Sequence, residues 1–169
     1  IASLRGGALT PINGLCDNVI ATGGGPGIME AANRGASDAG APSIGFNINL
    51  PTEQTPNRYS TPDLTFQFHY FAMRKMHFAM RANALVVFPG GFGTFDELFE
   101  ILTFEQTRKA PPVPVVLVGR SYWTRIVDFD GLAEMGMIGK RDLRLFSFAE
   151  TAEEAWSALL DHGLAAHTP

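Results

Sequence analysis

A glycine-rich loop is followed by a carboxylate near the middle of the chain. The loop covers residues 89–94 with the sequence Pro-Gly-Gly-Phe-Gly-Thr, and Glu97 stands three residues beyond it. Glycines let a backbone approach a ligand closely, and a helix that starts there offers unpaired N–H groups and a partial positive charge. This pattern is typical of a phosphate-binding loop. Its candidate residues are Gly90, Gly91, Gly93 and Thr94.

Glu97 has two interpretations. A carboxylate one turn into a helix whose start holds a phosphate lies near the sugar of a bound nucleotide. Hydrolysis of an N-glycosidic bond needs a carboxylate there to activate water and to stabilise oxocarbenium character. Alternatively, Thr94 and Glu97 have the Thr-x-x-Glu spacing of a capping box, in which the glutamate accepts a hydrogen bond from the threonine backbone. The spacing alone leaves both interpretations open.

A second glycine-rich segment lies near the start of the chain. Residues 22–30 read Thr-Gly-Gly-Gly-Pro-Gly-Ile-Met-Glu and follow a short β-rich run, and Pro26 suits the first position of a helix. In a doubly wound sheet, both loops lie at the carboxyl edge, where the ligand crevice forms. One such loop could be only a tight strand-to-helix turn. Two of them in one small sheet favour a ligand site.

Two common nucleotide-binding motifs do not fit these loops. The G-x-G-x-x-G spacing puts Ile28 or Glu30 where the third glycine of a dinucleotide fingerprint belongs. The second expected strand ends in Asn47 and Asn49 rather than in an acidic residue. No Gly-Lys-Ser/Thr follows either loop, which excludes a P-loop.

The segment at residues 70–81 has helical periodicity and an unusual charge at its start. Arg74 and Lys75 lie where the helix dipole favours acidic residues, and this local misfit indicates a functional site. Arg74 shares a helical face with His77 and Arg81, which could also be only a solvated face. Three methionines at helical spacing are expected to pack in the core: Met73, Met76 and Met80.

Short β-rich runs alternate with longer helical segments, which predicts an α/β fold with a doubly wound, mostly parallel sheet and helices on both faces. The length of 169 residues fits one domain over residues 1–169. Strands are expected at residues 18–22, 43–48, 64–68, 84–88 and 113–118. Helices are expected at residues 27–39, 70–83, 94–107, 122–135 and 152–162.

Composition limits the ligand and the location. Thirteen basic and 17 acidic residues give a formal charge of -4, which argues against a nucleic acid polymer as partner. No apolar run approaches the roughly 20 residues that span a bilayer, so we expect a soluble protein without a membrane partner. Cys16 is the only cysteine, so no internal disulfide can form and a reducing cytoplasm is expected. His69 and His77 lack the spacing of a helical metal pair, and we expect no metal.

The chain start and one long segment give two further expectations. Residues 1–5 read like the middle of a helix without the features of a signal peptide, so we expect an upstream strand and turn to be missing. Residues 50–62 are rich in Pro, Thr, Asn, Gln and Glu, which predicts a long and functional loop.

Three ordered blocks resemble a known family. Residues 89–97 are similar to the P-G-G-x-G-T-x-x-E signature of the Lonely Guy (LOG) family, cytokinin riboside 5′-monophosphate phosphoribohydrolases long misannotated as lysine decarboxylases. Residues 22–31 and 73–76 resemble its other two blocks, and the similarity covers roughly residues 18–123. Residues 50–57 resemble the longer-chain branch of the family.

The resemblance implies a Rossmann-like fold and hydrolysis of a nucleoside 5′-monophosphate, a cytokinin ribotide or AMP, to free base and ribose 5-phosphate. It implies no cofactor and a homodimer or larger homo-oligomer with sites near the subunit interface. It assigns the catalytic pair to Arg74 and Glu97. The family's first strand and its Gly-Ser turn have no counterpart before Ile1. Substrate contacts are assigned by resemblance to Gly24, Gly25, Met29, Arg74, Lys75, Gly90, Gly91, Gly93 and Thr94.

Two other classes stay open from the sequence. A binding protein such as the molybdenum-cofactor carriers shares the fold and a similar glycine loop but performs no hydrolysis, and a nucleotide sensor would bind AMP without releasing products. The presence of Arg74 and Glu97 together favours the enzyme. A lysine decarboxylase would need a Schiff-base lysine to pyridoxal phosphate, and Lys75, Lys109 and Lys140 lie in no recognisable cofactor setting.

Overall fold

The computed structural model describes residues 18–49 and 55–164. The chain forms two compact units with a boundary between Arg81 and Ala82, and each unit has its own sheet. The expectations for residues 1–5, for Cys16 and for residues 50–54 of the long segment lie outside the described residues. The single domain over residues 1–169 stays a prediction.

The first unit is a three-stranded parallel sheet with two α-helices. Its elements are β1 (Ile20–Thr22), α1 (Ile28–Asp38), β2 (Ser43–Ile48), a 3-10 helix (Pro62–Leu64), β3 (Thr65–Phe68) and α2 (Phe71–Arg81). The strand order is β1-β2-β3, and β2 pairs in parallel with both neighbours. The first glycine loop therefore leaves β1 at the carboxyl edge of this sheet.

The second unit repeats this plan with more helices. Its elements are β4 (Leu85–Val87), α3 (Phe92–Thr107), β5 (Val115–Val118), α4 (Arg120–Ile126), α5 (Phe129–Glu134), a 3-10 helix (Asp142–Arg144), β6 (Ser147–Ala149) and α6 (Ala152–Asp161). The strand order is β4-β5-β6, and both pairings are parallel. The second glycine loop joins β4 to α3, again at a carboxyl edge.

Each unit has its own buried core. In the second unit, Val116 and Leu117 of the central strand β5 are fully buried together with Leu98 of α3 and Trp123 of α4. This burial agrees with the apolar run that the sequence has at residues 113–118, because a central parallel strand is covered on both faces. In the first unit the core is aromatic and is built around Phe46 of β2.

The expected fold class is confirmed, since two three-stranded parallel sheets flanked by helices form a Rossmann-like α/β architecture. All five expected strands are present: β2 has the expected bounds, and the other four are shorter than expected. A sixth, β6, was missed because it has only three residues and begins with a serine. The helix expected at residues 122–135 is two helices, α4 and α5, separated by Val127 and Asp128.

The expectation that the methionines of α2 pack in the core is wrong. Met73, Met76 and Met80 are exposed by 46%, 43% and 74%, and within the described chain no residue of α2 is fully buried. The packed face instead carries His77 and Phe78. Phe78 meets Phe46 edge-on with ring centroids 4.9 Å apart, and His77 lies against the same ring at 6.2 Å. The ring of Phe46 in β2, which also contacts Phe66 and Phe68 of β3, favours this face because aromatic rings gain more from edge contacts than methionines do.

The helices of residues 18–49 and 55–164 include none with both the length and the apolar character needed to cross a membrane.

Replacing Asp128 with alanine tests the break between α4 and α5. Asp128 is the N-cap of α5, and its carboxylate accepts a hydrogen bond from the Gly131 backbone N–H at 2.8 Å. Asp128→Ala should therefore lower the free energy of unfolding by about 1 kcal/mol, measured by urea denaturation. Asp128→Ser, which keeps an oxygen that can cap the helix, should lower the free energy of unfolding only slightly. One continuous helix would give the opposite sign, because alanine is the better residue inside a helix.

Candidate functional site

The second glycine loop ends in an open helix start. Gly91 is the N-cap of α3, and the backbone N–H groups of Thr94 and Phe95 both donate to the Gly91 carbonyl, at 3.0 and 3.2 Å. The first N–H groups of an α-helix have no partner within the helix. In α3 these groups belong to Phe92 and Gly93, at the end of the helix that carries the partial positive charge.

The capping-box interpretation of Thr94 and Glu97 is wrong in this structure. A capping box requires Thr94 to precede the helix, but α3 begins at Phe92 and Thr94 already donates a helical hydrogen bond. The helix starts earlier than the sequence indicated because glycine is also accepted at the N-cap, although it has no side chain to form a capping hydrogen bond. Glu97 therefore does not act as the glutamate of a capping box around Thr94.

The glycines of this loop differ in what requires them. A Cβ atom on Gly90 would collide with the hydroxyl of Thr94, so the packing of the loop itself requires a glycine there. A Cβ atom on Gly91 or Gly93 would meet no atom of the described chain within 4 Å, and neither residue has a positive φ. Both are exposed. Their absence of a side chain leaves backbone open to close approach from outside.

Helix α4 holds the loop from behind. Tyr122 donates its hydroxyl to the Gly90 carbonyl at 2.6 Å, and Trp123 donates its indole N–H to Val118 at the end of β5 at 3.0 Å. Phe95 of α3 meets the Trp123 ring edge-on with centroids 5.6 Å apart. The start of α3 is therefore fixed on both sides. Sequence reasoning missed Tyr122, since no local signal links it to a glycine 32 residues away.

Glu97 lies one turn into α3 and is half-buried. Glu97 lies four positions after Gly93, which is about 6 Å along the helix axis. The next residue, Leu98, is fully buried in the core of the second unit. The carboxylate is thus attached to a helix that cannot move without disturbing the core, at a short distance from the open backbone.

The first glycine loop is more enclosed. Gly24 has a φ of 69°, and its N–H donates to the Thr22 hydroxyl at 2.9 Å. Asn57 donates hydrogen bonds to the carbonyls of both glycines. Its backbone N–H donates to the Gly24 carbonyl at 2.8 Å, and its side-chain amide donates to the Gly25 carbonyl at 3.2 Å. Gly24 and Gly25 are buried. Helix α1 begins only at Ile28 with Gly27 as its N-cap, so Pro26 does not open the helix as expected.

Buried Asn33 of α1 connects this loop to the sheet. Its Oδ1 accepts hydrogen bonds from the Thr22 hydroxyl at 2.7 Å and from the Asn57 side chain at 2.9 Å. Its Nδ2 donates to the Ser43 hydroxyl at 2.9 Å. One fully buried amide therefore joins β1, β2, α1 and the segment after residue 55. Asn33 has no exposed surface.

Arg74 reaches the first glycine loop. Its Nε donates to the Phe46 carbonyl of β2 at 2.8 Å, and its guanidinium lies 5.2 Å from the centre of the Phe78 ring. A Cβ atom on Gly23 would lie 2.5 Å from Arg74 Nη2 and 2.8 Å from the Met29 sulfur. Arg74 and Met29 thus converge on Gly23, a contact residue that the sequence did not single out. Lys75 follows Arg74 in α2 and is half-buried.

Asn47 is a further residue at this loop. It is 3% exposed, and its amide packs so closely on Gly24 that a Cβ atom there would collide with it. Within residues 18–49 and 55–164 its Oδ1 has no hydrogen-bond partner. A buried unsatisfied acceptor is destabilising by roughly 1–3 kcal/mol, and such exceptions concentrate at functional sites. The sequence offered one signal, an asparagine where dinucleotide-binding folds have an acid.

The predicted site residues fall into two groups. The structure brings Met29 and Arg74 together at Gly23 in the first unit, with Gly24 and Gly25 in the same loop and Lys75 on the same helix as Arg74. It brings Gly90 and Thr94 together in the second unit, on the loop and helix start that also carry Gly91, Gly93 and Glu97.

Comparison with known proteins identifies the family. A family model described as possible lysine decarboxylase matches residues 29–159, which is more than half of the chain. The chain belongs to this family. It is the family that the two glycine loops and the α2 block resemble, and the LOG assignment from the sequence is confirmed.

Curated relatives carry LOG names. The chain is 28% identical over 135 residues to cytokinin riboside 5′-monophosphate phosphoribohydrolase LOG4 of Arabidopsis thaliana, which covers 78% of the chain and 61% of that relative. It is also 28% identical over 142 residues to a probable phosphoribohydrolase LOG4 of Oryza sativa subsp. japonica, covering 82% of the chain and 60% of the relative. The chain thus spans about three fifths of the length of these relatives.

Replacing Asn33 with leucine tests how the first loop is held. Leucine has a similar size but leaves Thr22, Ser43 and Asn57 without their partner, so the free energy of unfolding should fall by about 3 kcal/mol. The control is Arg34→Ala on the same helix, which removes only an exposed ion pair with Asp38 and should change stability by less than about 1 kcal/mol. Equal effects of the two variants in urea denaturation would contradict the assigned network.

Proposed function

We propose that this protein hydrolyses the N-glycosidic bond of a nucleoside 5′-monophosphate and releases free base and ribose 5-phosphate. The observation that carries the proposal is the start of α3, where the exposed glycine backbone of Gly91 and Gly93 is followed one turn later by the half-buried Glu97. The names of the LOG relatives support the same reaction class.

In the proposed reaction, the backbone N–H groups of Phe92 and Gly93 bind the 5′-phosphate. A phosphate is well matched to a helix start, because the N–H groups point at it and the helix dipole favours negative charge. Neither glycine places a Cβ atom in the way. This fixes one end of the nucleotide and leaves its ribose to extend toward the next turn of α3.

Glu97 is proposed to act as the general base. Its carboxylate removes a proton from a water molecule whose oxygen forms a bond to the anomeric carbon. The bond between that carbon and the base nitrogen breaks and its electron pair goes to the departing base, which takes up a proton from solvent while Glu97 returns its proton to solvent. The carboxylate also stabilises the positive charge that develops on the ribose ring in the transition state.

Arg74 is proposed to orient the nucleotide. Its Nε is fixed to the backbone of β2, and the ring of Phe78 supports the guanidinium plane, so the direction of the remaining N–H groups is set before a ligand binds. Preorganisation of this kind contributes to catalysis because less freedom is lost when the substrate binds. Gly24, Gly25, Met29 and Lys75 are proposed as further substrate contacts on the same loop and helix.

The expected substrates are AMP and cytokinin ribotides. The printed names of the relatives specify a cytokinin riboside 5′-monophosphate, and we extend that specificity to this chain only as a proposal. A panel of purine and pyrimidine monophosphates, scored by the free base released, separates them. Binding of AMP or of a pterin cofactor without turnover of any monophosphate would favour a carrier or a sensor instead.

We further propose that the protein assembles as a homodimer or a larger homo-oligomer and works in the cytoplasm. Support for assembly comes from α2 and the residue before it, where several large apolar side chains are exposed. They are Tyr70, Phe71, Met73, Met76 and Met80. Monomeric proteins rarely leave such contiguous apolar surface in contact with water.

Exchanging Glu97 for glutamine tests the proposed base. Glutamine keeps the size of the side chain but cannot take a proton, so the rate of base release from AMP should fall about 100-fold or more. The affinity for AMP should change little. Asp96→Asn, the same chemical change at the neighbouring exposed position, is the control and should keep near-normal activity. Base release that Glu97→Gln leaves within about threefold of the parent rate would rule out this role.

Alanine at Gly91 tests the phosphate contact separately from the fold. Because a Cβ atom there has open space, Gly91→Ala should lose no more than the preference of the N-cap for glycine, about 1 kcal/mol, and should melt within about 4 °C of the parent protein. The same methyl group would obstruct a bound phosphate, and calorimetry should show AMP affinity about tenfold or more weaker. Gly90→Ala is the contrasting variant, since its clash with Thr94 should lower the melting temperature. Unchanged AMP affinity in Gly91→Ala would place the phosphate elsewhere.

A further inference from the structure

A concavity lined by arginines lies in the second unit, at the opposite end of α3 from the glycine loop. It has a volume of about 210 Å³ and lies between the last turn of α3 and the 3-10 helix Asp142–Arg144. Three arginines line it: Arg108, Arg141 and Arg144. Helix α3 has 16 residues, which separates this arginine pocket from the start of the helix by about 24 Å.

The acidic residues of the pocket are engaged in holding its walls. Asp142 accepts hydrogen bonds from the Gln106 side chain at 2.7 Å and from the Gly139 N–H at 2.8 Å. The hydrogen bond from Gln106 is the main reason that the pKa of Asp142 lies below its ordinary value, so this carboxylate stays ionised. Glu105 accepts from the Val113 N–H at 2.5 Å.

The arginines are less fully engaged. Arg141 Nε lies 3.6 Å from Asp142, and its side chain is mostly exposed. Arg108 and Arg144 are exposed and have no ion-pair partner within the described parts of the chain. Three guanidinium groups therefore share one concavity in a chain whose formal charge is -4. Guanidinium groups match phosphate oxygens with two parallel hydrogen bonds, which favours an anionic ligand with phosphate groups.

The backbone of Arg108 gives an independent indication. Arg108 follows α3 with φ 53° and ψ 39°, the left-handed conformation that ends many helices and that glycine adopts most easily. It is the only residue other than glycine with a positive φ in residues 18–49 and 55–164. A cation is favourable near a helix C-terminus, but the last turn could supply one without this strain. A strained backbone that presents a charged side chain is a reason to look for a ligand.

We propose that the arginine pocket binds a small anion with several phosphate oxygens, of the pyrophosphate type, independently of the glycine loop. Arg108 and Arg144 supply the charge, and Arg141 completes the ring of donors. Asp142 and Glu105 keep the two walls in place through their backbone and amide contacts.

The test is calorimetric titration of the full chain with pyrophosphate at constant ionic strength. Saturable binding is expected, and Arg108→Gly should weaken it about tenfold or more because it removes a charge-assisted contact. Arg108→Gly should also melt at the same or a slightly higher temperature than the parent, since glycine relieves the left-handed strain. Loss of binding together with retained or raised stability separates a ligand role from a structural one.

Three further variants make the test decisive. Arg144→Ala should also weaken binding about tenfold, whereas Arg125→Ala, an exposed arginine of α4 outside the pocket, should leave it within about twofold. Gly91→Ala should keep pyrophosphate binding. The proposal is overturned by a lack of saturable binding, by equal losses in Arg125→Ala, or by loss in Gly91→Ala, which would place the anion on the glycine loop. Failure of AMP hydrolysis alone would leave the pocket unaffected.

Discussion

The hydrogen bond from Tyr122 to the Gly90 carbonyl holds the loop on which the proposed phosphate binding depends. It draws the loop against α4 while Phe95 packs on Trp123, so the first turn of α3 is fixed from two sides. The open N–H groups of α3 therefore have a defined direction without any ligand. The proposed phosphate site would need this rigidity, because backbone N–H groups cannot adjust their position as a long side chain can.

In the first unit, buried polar groups hold the first glycine loop and Arg74 in place. Asn33 joins β1 and β2 to the glycine loop, and Arg74 is held to the backbone of β2 beside the same loop. Fully satisfied networks of this kind are rigid, and their members cannot be replaced singly without loss. The side-chain oxygen Oδ1 of Asn47 is the exception, since it is buried against Gly24 without a hydrogen-bond partner among the described residues.

Local signals in the sequence were sufficient for the fold class, for five strands and for both glycine loops, because apolar runs and glycines act over a few residues. Local signals were insufficient where a contact with residues distant in the sequence determines which side chains are buried. The helical spacing in α2 would allow either the methionines or Phe78 to face the sheet. The contact with Phe46 of β2 determines that Phe78 packs inward. Tyr122 and Asn33 were missed for the same reason, since their partners lie many residues away. The sequence predicted that α3 starts at Thr94, because threonine is preferred over glycine at the N-cap, whereas the N-cap is Gly91.

A crystal structure of the Glu97→Gln variant with AMP bound tests the central claim most directly. The account predicts phosphate oxygens within hydrogen-bond distance of the backbone N–H groups of Phe92 and Gly93, about 2.7–3.2 Å, with residue 97 beside the anomeric carbon. A phosphate bound away from the start of α3, or a ribose remote from residue 97, would contradict it.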